Sequence, residues 1–361
     1  MKILYITYID FGDFKSGSSV RPQMMYHAFQ TLGCEIKLLQ TQQNRRKERC
    51  AAVKEINRWL KENKPDICYV ESPSGPIFQL CDLKLLKRIK RAGIPIGYFY
   101  RDAAYKFDNI FVKGKKTLKQ YLIAWMSQRD VRFLNKTADL IYFPTISMAK
   151  YFPFKQVKAL PPACVGNLAD KRGRKNEKRC IYVGGVSKRY GSDTLLQAFD
   201  KLNPGEICEY SLTLVCRERE VAYIPEEYLK KPWLTLVHTS GKENLAKLYE
   251  KADLALYPIQ KNEYNDFAFS VKLMEYMEFG LPVVAVNCEE AEKFIVKYST
   301  GLTSQDNPED FAAKIRDILL NEEIYDCYTQ AVYQAVQNGN CWKDRAQCVV
   351  QDLKQLKNSR N

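Results

Sequence analysis

Leu254-Ala-Leu-Tyr-Pro258, then Ser270-Val-Lys-Leu-Met-Glu-Tyr-Met-Glu-Phe279, then Gly280-Leu-Pro-Val-Val-Ala-Val286 is the stretch on which the fold turns. The first and last pieces are short apolar runs without polar alternation. That is the pattern of strands covered on both faces of a parallel sheet. The middle piece is helical in period, with Ser270 placed as N-cap and Gly280 just past its end. Open sheets built this way bind ligands beyond the carboxyl ends of their strands. A helix starting at 270 begins at that edge, where free N–H groups and a positive dipole end suit phosphate.

The theme extends in both directions. In the second half, strands are expected at 180–183, 211–215, 234–237, 254–257 and 282–286. Helices are expected near 191–202, 243–251, 270–279, 289–297, 307–320 and 322–338, with 260–266 a polar loop. In the first half, strands are expected at 3–8, 34–39, 67–70, 96–100 and 140–143. Helices fall near 20–31, 48–62, 79–92 and 117–137. Two doubly wound α/β units follow. Ala159-Leu-Pro-Pro-Ala163 is the expected join, because two prolines continue neither a helix nor a central strand. The expected domains are 1–162 and 163–340, with a last helical segment, 341–361, crossing back to the first.

A chain of 361 residues, 46% apolar and 27% charged, has ample material for two cores. Twelve cysteines are scattered without a CxxC pair, so zinc-ribbon and thioredoxin-type sites are not expected. They read as small buried hydrophobes in a reducing compartment. The opening apolar run is short for a signal-peptide core, and Asp10 ends it. No stretch approaches a membrane span. A cytoplasmic protein is expected, at most peripheral on the inner face of the cell membrane. Net charge is +14, and residues 1–165 carry all of the excess, with 29 Lys and Arg against 13 Asp and Glu. A basic first half suits an anionic membrane surface or a lipid-linked diphosphate. No nucleic-acid-binding motif accompanies it, so nucleic acid is not an expected partner.

Cys180-Ile-Tyr-Val-Gly-Gly-Val186 runs a strand into Gly184 and Gly185, followed by Ser187-Lys-Arg-Tyr-Gly191 and a helix. The glycines would let a ligand approach the backbone, and Lys188 and Arg189 would add charge-assisted bonds to a diphosphate. These residues, with Ala252-Asp-Leu-Ala-Leu-Tyr-Pro258 and Lys272-Leu-Met-Glu-Tyr-Met-Glu-Phe-Gly-Leu-Pro-Val-Val284, resemble the retaining, nucleotide-sugar-dependent group 1 glycosyltransferases of GT-B fold, of bacterial surface-polysaccharide type. The resemblance covers essentially the whole chain. It implies two Rossmann-like domains facing a central cleft, with Glu275 on the donor ribose and the backbone of Ser270 and Val271 on the phosphates. Phe269, Lys272 and His238 are further donor-side candidates, His238 near the nucleobase. The sequence departs from the family in two places. Phe267 stands where a first glutamate is common, eight positions before Glu275. Gly185 and Tyr190 stand where Arg and Lys are common, which leaves Lys188, Arg189 or Lys272 to neutralise the leaving diphosphate.

In the first half, Asp10-Phe-Gly-Asp-Phe-Lys-Ser-Gly-Ser-Ser-Val-Arg-Pro22 is a Gly/Ser-rich loop before a helix. Gly17, Ser18 and Arg21 are its acceptor-binding candidates, with Tyr105. The strand at 96–100 ends in Arg101-Asp-Ala-Ala-Tyr105, where the family often has histidine. Asp102 could deprotonate an acceptor hydroxyl, or Arg101 and Asp102 could form a structural pair. Arg101, Asp102 and Glu275 are the catalytic candidates. Lys113, Lys115, Lys116 and Lys119 precede or join Tyr121, Leu122, Trp125 and Met126 on one helix. This mixture fits a membrane interface or an ordinary domain helix with a basic face.

The expected reaction moves a sugar from a nucleotide diphosphate sugar, UDP-sugar first, to a lipid-linked or oligosaccharide acceptor, as in capsule or exopolysaccharide synthesis. Retention and metal independence are expected; no D-x-D triplet is present, and no cofactor beyond the co-substrate is implied. The alternatives are a sugar-nucleotide epimerase of the same fold and an inactive glycan-binding or partner subunit.

Overall fold

In the computed structural model the chain divides into two compact units: Met1–Pro162 with Trp342–Asn361, and Ala163–Cys341. Residues 1–12, 17–107, 110, 115–205 and 207–359 are described, 17 and 18 by backbone alone. Lys113 and residues 13–16 of the Gly/Ser-rich loop thus lie outside the described residues.

The first unit runs β1 (Lys2–Ile6), α1 (Gly17–Thr31), β2 (Glu35–Leu39), α2 (Arg46–Glu62), β3 (Ile67–Glu71), α3 (Leu80–Arg91), β4 (Ile96–Phe99), α4 (Leu118–Thr137), β5 (Leu140–Phe143), α5 (Ile146–Ala149) and β6 (Val157–Ala159). Its six strands are parallel, in the order β2-β1-β3-β4-β5-β6. Every residue of β3, β4 and β5 is buried, as unalternating apolar runs require. Capping fixes the start of α4. Thr117 Oγ1 accepts from Gln120 N, and Gln120 Oε1 accepts from Thr117 N.

The second unit runs β7 (Arg179–Val183), α6 (Ser192–Leu202), β8 (Ser211–Val215), α7 (Glu226–Leu229), β9 (Leu234–Val237), α8 (Lys242–Lys251), β10 (Leu254–Tyr257), α9 (Glu263–Phe267), α10 (Val271–Glu278), β11 (Val283–Val286), α11 (Glu289–Tyr298), β12 (Gly301–Ser304), α12 (Pro308–Leu319) and α13 (Glu322–Gln337). The strand order is β12-β11-β10-β7-β8-β9, again all parallel. The order reverses between β7 and β10, which places the topological switch point there.

The final helix, α14 (Trp342–Asn358), belongs to the first unit and packs on α1, β3 and β4. It buries Trp342, Ala346, Val349 and Leu353. Gly97 in β4 makes this possible: a Cβ there would stand 3.0 Å from Leu353 Cδ1 and 3.0 Å from the Tyr142 ring.

Several elements go beyond the sequence reading, among them the short helices α5 and α7. β6 and β12 were not expected, and both are edge strands. Val-Lys-Ala and Gly-Leu-Thr-Ser lack the apolar run that the other two edge strands, β2 and β9, carry. The segment expected as a polar loop contains α9, started by Asn262 Oδ1 accepting from Asn265 N at 2.9 Å.

Candidate functional site

At the switch point of the second unit, β7 ends in Gly184-Gly185 and a short 3-10 turn over Lys188–Tyr190 leads to α6. Gly191 starts that helix with φ +72°, and a Cβ there would fall 1.6 Å from the Pro258 carbonyl oxygen. Only glycine can hold this conformation at this distance. It presses the start of α6 onto the end of β10. The preceding glycines also leave room for neighbouring tyrosines. A Cβ on Gly184 would meet the Tyr182 hydroxyl at 2.4 Å, and one on Gly185 the Tyr190 ring at 2.6 Å. Tyr182 also donates to the Gly185 carbonyl at 2.8 Å. Lys188 is exposed, and Arg189 lies half-buried over the Tyr190 ring.

The second wall is the start of α10. Ser270 caps it, its hydroxyl accepting from Lys272 N at 3.2 Å. One turn on, Glu275 Oε2 takes two donors: Lys272 Nζ at 2.6 Å and the Tyr249 hydroxyl at 3.3 Å. Burial, and then the Glu275 carboxylate, push the Tyr249 phenol well above its ordinary value, so it remains a donor. Val271 and Phe269 are half-buried, Phe269 packed edge-on against Phe294. His238 Nδ1 lies 3.1 Å from the Cys216 carbonyl, which fixes Nδ1 as the protonated nitrogen. Phe267 is 4% exposed and packs against Tyr264. The position of the usual first glutamate is thus an apolar core contact.

The first unit has its own cavity, about 250 Å³, at the carboxyl ends of β3 and β4. Arg101, Asp102 and Tyr105, chosen from sequence, line it together with Ser72, Tyr98 and Asp130. Arg101 N donates to Ser72 Oγ, and its guanidinium lies 3.9 Å from Glu71. Burial lowers its pKa from the usual value. Asp102 Oδ1 accepts from Ala104 N at 2.8 Å, closing the turn that presents it. Burial raises the Asp130 carboxyl, although Ile77 N and Arg129 donate to it.

Arg21 is a correction. It was expected to reach an acceptor, but it is buried. Its guanidinium donates to Glu71 at 3.1 Å and to the Leu160 carbonyl at 3.0 Å, and lies 3.5 Å from the centre of the Phe99 ring. Gly17 opens α1, while its neighbour Ser18 is described by backbone alone. Sequence reading missed Asp130 and Tyr249. Both sit on helices where neither spacing nor neighbours mark them.

Among the described residues no helix is long and apolar enough to cross a membrane. Residues 167–335 match the sequence family described as glycosyl transferases group 1. A curated relative is the putative teichuronic acid biosynthesis glycosyltransferase TuaH of Bacillus subtilis, 27% identical over 94 residues, which are 26% of this chain and 24% of that protein. The aligned part thus spans about a quarter of that relative's length. Among solved structures, Anabaena HepE in complex with UDP superimposes with a TM-score of 0.66 at 14% identity, over 98% of this chain and 100% of that one. WaaG, a glycosyltransferase involved in lipopolysaccharide biosynthesis, gives 0.64 at 17% identity, over 96% and 98%. A glycosyltransferase from Rickettsia africae gives 0.65 at 14%, over 98% of each chain. The chain has the GT-B glycosyltransferase fold, and most of its second unit carries the group 1 sequence pattern.

Proposed function

We propose that this chain transfers a sugar from a nucleotide diphosphate sugar, a UDP-sugar first, to a saccharide hydroxyl, with retention and without a metal. The observation that carries the reading is Glu275, held one turn into the Ser270-capped helix beside the switch point of the second unit. Its pairing with Lys272 is an i,i+3 contact with both side chains part-exposed, worth about 0–1 kcal/mol. Two ribose hydroxyls donating to the carboxylate are worth about 1.5–3 kcal/mol each. Exchange of Lys272 for ribose is therefore favourable, and it frees the ammonium for phosphate. Backbone N–H groups at Ser270 and Val271 and at the start of α6, with Lys188 and Arg189, would stabilise the departing diphosphate. HepE has been crystallised with UDP and with UDP-glucose, which supports the uridine choice.

The first-unit cavity is the proposed acceptor pocket, with Tyr98 and Tyr105 offering ring faces to a sugar. Asp102 is the proposed base or orienting group for the attacking hydroxyl, with Arg101 beside it. The acceptor is proposed to be lipid-linked, met at the inner face of the cell membrane. α4 supports this. Its inward side gives Gln120, Ile123 and Ser127 to the cavity, while Leu118, Tyr121, Leu122 and Trp125 stand exposed on its outer side beside Lys115, Lys116 and Lys119. An apolar stripe facing outward with cations around it suits an anionic lipid surface.

Titration with uridine, guanosine and thymidine diphosphates tests the donor reading. UDP is expected to bind, and Glu275→Ala to weaken it by about tenfold to a hundredfold. Binding of none of the three sinks the proposal. With a donor panel, sugar transfer to an acceptor supports the transferase, whereas a free epimer without acceptor moves the assignment to an epimerase. Donor binding without turnover on any acceptor moves it to a non-catalytic subunit. Flotation with anionic vesicles tests the α4 surface, and binding that ignores salt and Trp125→Ser removes it.

A further inference from the structure

Two thiols lie outside both sites. Cys50 is in the second turn of α2 and Cys81 in the first turn of α3, and their sulfurs are 3.0 Å apart. Neither is fully buried, against the sequence expectation for these two cysteines. They border an open cavity of about 370 Å³ together with Arg46, Phe78, Gln79 and Leu80. Their backbones are held in place by the residues beside them. Arg49 and Asp82 form a buried ion pair at 2.8 Å, and Arg49 also donates to the carbonyls of Thr7 and Thr41. Gln43 ties the same two elements, its side chain accepting from Phe78 N and its carbonyl from Gln79 Nε2. Cys81 lies in the first turn of its helix, and Arg46 stands one turn before Cys50 and lines the same cavity. Burial, and then the hydrogen bond with Cys50, push the Cys81 thiol up to about 12. The raised Cys81 thiol stays protonated, and the 3.0 Å approach of the two sulfurs at the cavity edge sets them in line for exchange.

We propose that Cys50 and Cys81 form a thiol–disulfide exchange site whose co-reactant is a low-molecular-weight disulfide entering the adjoining cavity. The Cys50 thiolate attacks one sulfur of the small disulfide. That S–S bond breaks, and one small thiolate leaves and takes up a proton. Cys81 then loses its proton and attacks the Cys50 sulfur, displacing the second small thiol. Two protein thiols are oxidised to one disulfide, and one small disulfide is reduced to two thiols. The new bond joins α2 to the start of α3. That start is joined through Ile77, Phe78 and Gln79 to the segment whose residues Ser72 to Pro76 wall the first-unit cavity. Oxidation therefore tethers one wall of that cavity.

The test is equilibration of the reduced full-length chain with glutathione at graded oxidised-to-reduced ratios, then blocking, digestion and mass spectrometry. A peptide pair joined through Cys50 and Cys81, released by dithiothreitol, is expected. In Cys81→Ser, Cys50 should accumulate glutathione about tenfold above the unmodified chain, because the resolving thiol is gone. In Cys50→Ser, Cys81 should stay unmodified at the same ratios. Absence of the 50–81 link at every ratio overturns the proposal. So does equal glutathione on Cys50 with and without Cys81. Peptide mapping of the unmodified chain decides the matter even if a variant fails to fold.

Discussion

The two units share an architecture but use their switch points in opposite ways. In the second, strand order reverses between β7 and β10, and Gly191 and Ser270 bring two helix starts to that place. Glu275 waits there in a weak, part-exposed pairing. In the first, order reverses between β1 and β3, and the equivalent place is filled by the protein itself. Arg21 from α1 lies buried on Glu71 at the end of β3, and the Tyr69 hydroxyl donates to the same carboxylate oxygen at 2.7 Å. Burial, and then Glu71, push the Tyr69 and Tyr5 phenols well above their ordinary values, so both stay protonated. A guanidinium fixed to a carboxylate lies buried at this edge of the first unit. The cavity of the first unit is displaced to the ends of β3 and β4. The same crossover topology thus carries a buried ion pair in one unit and two exposed-edge helix starts in the other.

Glu71→Ala breaks the closed switch point most severely. It leaves Arg21 buried without its carboxylate, a loss of about 3–5 kcal/mol. Calorimetry should show one transition falling, while the transition raised by nucleotide in the second unit holds its place. An unchanged thermogram would mean that the pair does not organise the first unit. The double change Arg21→Met with Glu71→Leu should recover most of the loss, since no charge is stranded.

Gly191→Ala attacks the open switch point. Its methyl group would overlap the Pro258 carbonyl, and its backbone would stay at φ +72°. A destabilisation of about 2–4 kcal/mol is expected in urea, with loss of nucleotide binding. Full binding in a stable Gly191→Ala protein would show that α6 does not take part in the site.

Glu278 offers a pH-dependent test of the open side alone. It follows Glu275 on α10 and is 6% exposed, with Val165 N donating to it at 2.7 Å. Burial, the largest cause, pushes its carboxyl up to about 7. The folded state therefore holds this proton more tightly than the unfolded chain does. The stability that the proton confers is complete below the unfolded carboxyl's range, near pH 4, and is lost as pH rises through about 7. The swing is on the order of 2–3 kcal/mol. Glu278→Gln should flatten it in melts taken between pH 5 and 8, and a slope that survives the substitution belongs to another group.

What the sequence conveyed follows the same division. Central strands announce themselves because both faces are buried, so their apolar runs are unbroken. Strands β6 and β12 do not, because Val-Lys-Ala and Gly-Leu-Thr-Ser hold too few apolar residues, whereas the edge strands β2 and β9 keep theirs and were read. Arg101, Asp102 and Tyr105 were legible since charge at the end of a buried run has to sit at the sheet's edge. Arg21 was misjudged for a physical reason. A Gly/Ser loop followed by an arginine looks the same whether the arginine meets a ligand or a carboxylate fifty residues away. Asp130 was hidden in a helix whose visible pattern is basic and aromatic, because only its inward face reaches the cavity.

The smallest expected effect separates the two duties assigned to α10. Lys272 is bound to Glu275, and the proposed function has ribose replace it there and free its ammonium. Lys272→Met should change stability by no more than about 0.5 kcal/mol, the scale of an i,i+3 ion pair with both partners part-exposed. Uridine, which presents ribose but no phosphate, should bind as well or up to about twofold better, since Glu275 no longer has an ammonium to give up. UDP should bind about tenfold more weakly, for the diphosphate loses a charge-assisted contact. Parallel titrations with the two ligands give the answer. If uridine and UDP weaken by the same factor, Lys272 serves to position Glu275, and the diphosphate depends on the helix starts with Lys188 and Arg189. If only UDP weakens, α10 carries both the sugar end and the phosphate end of the nucleotide.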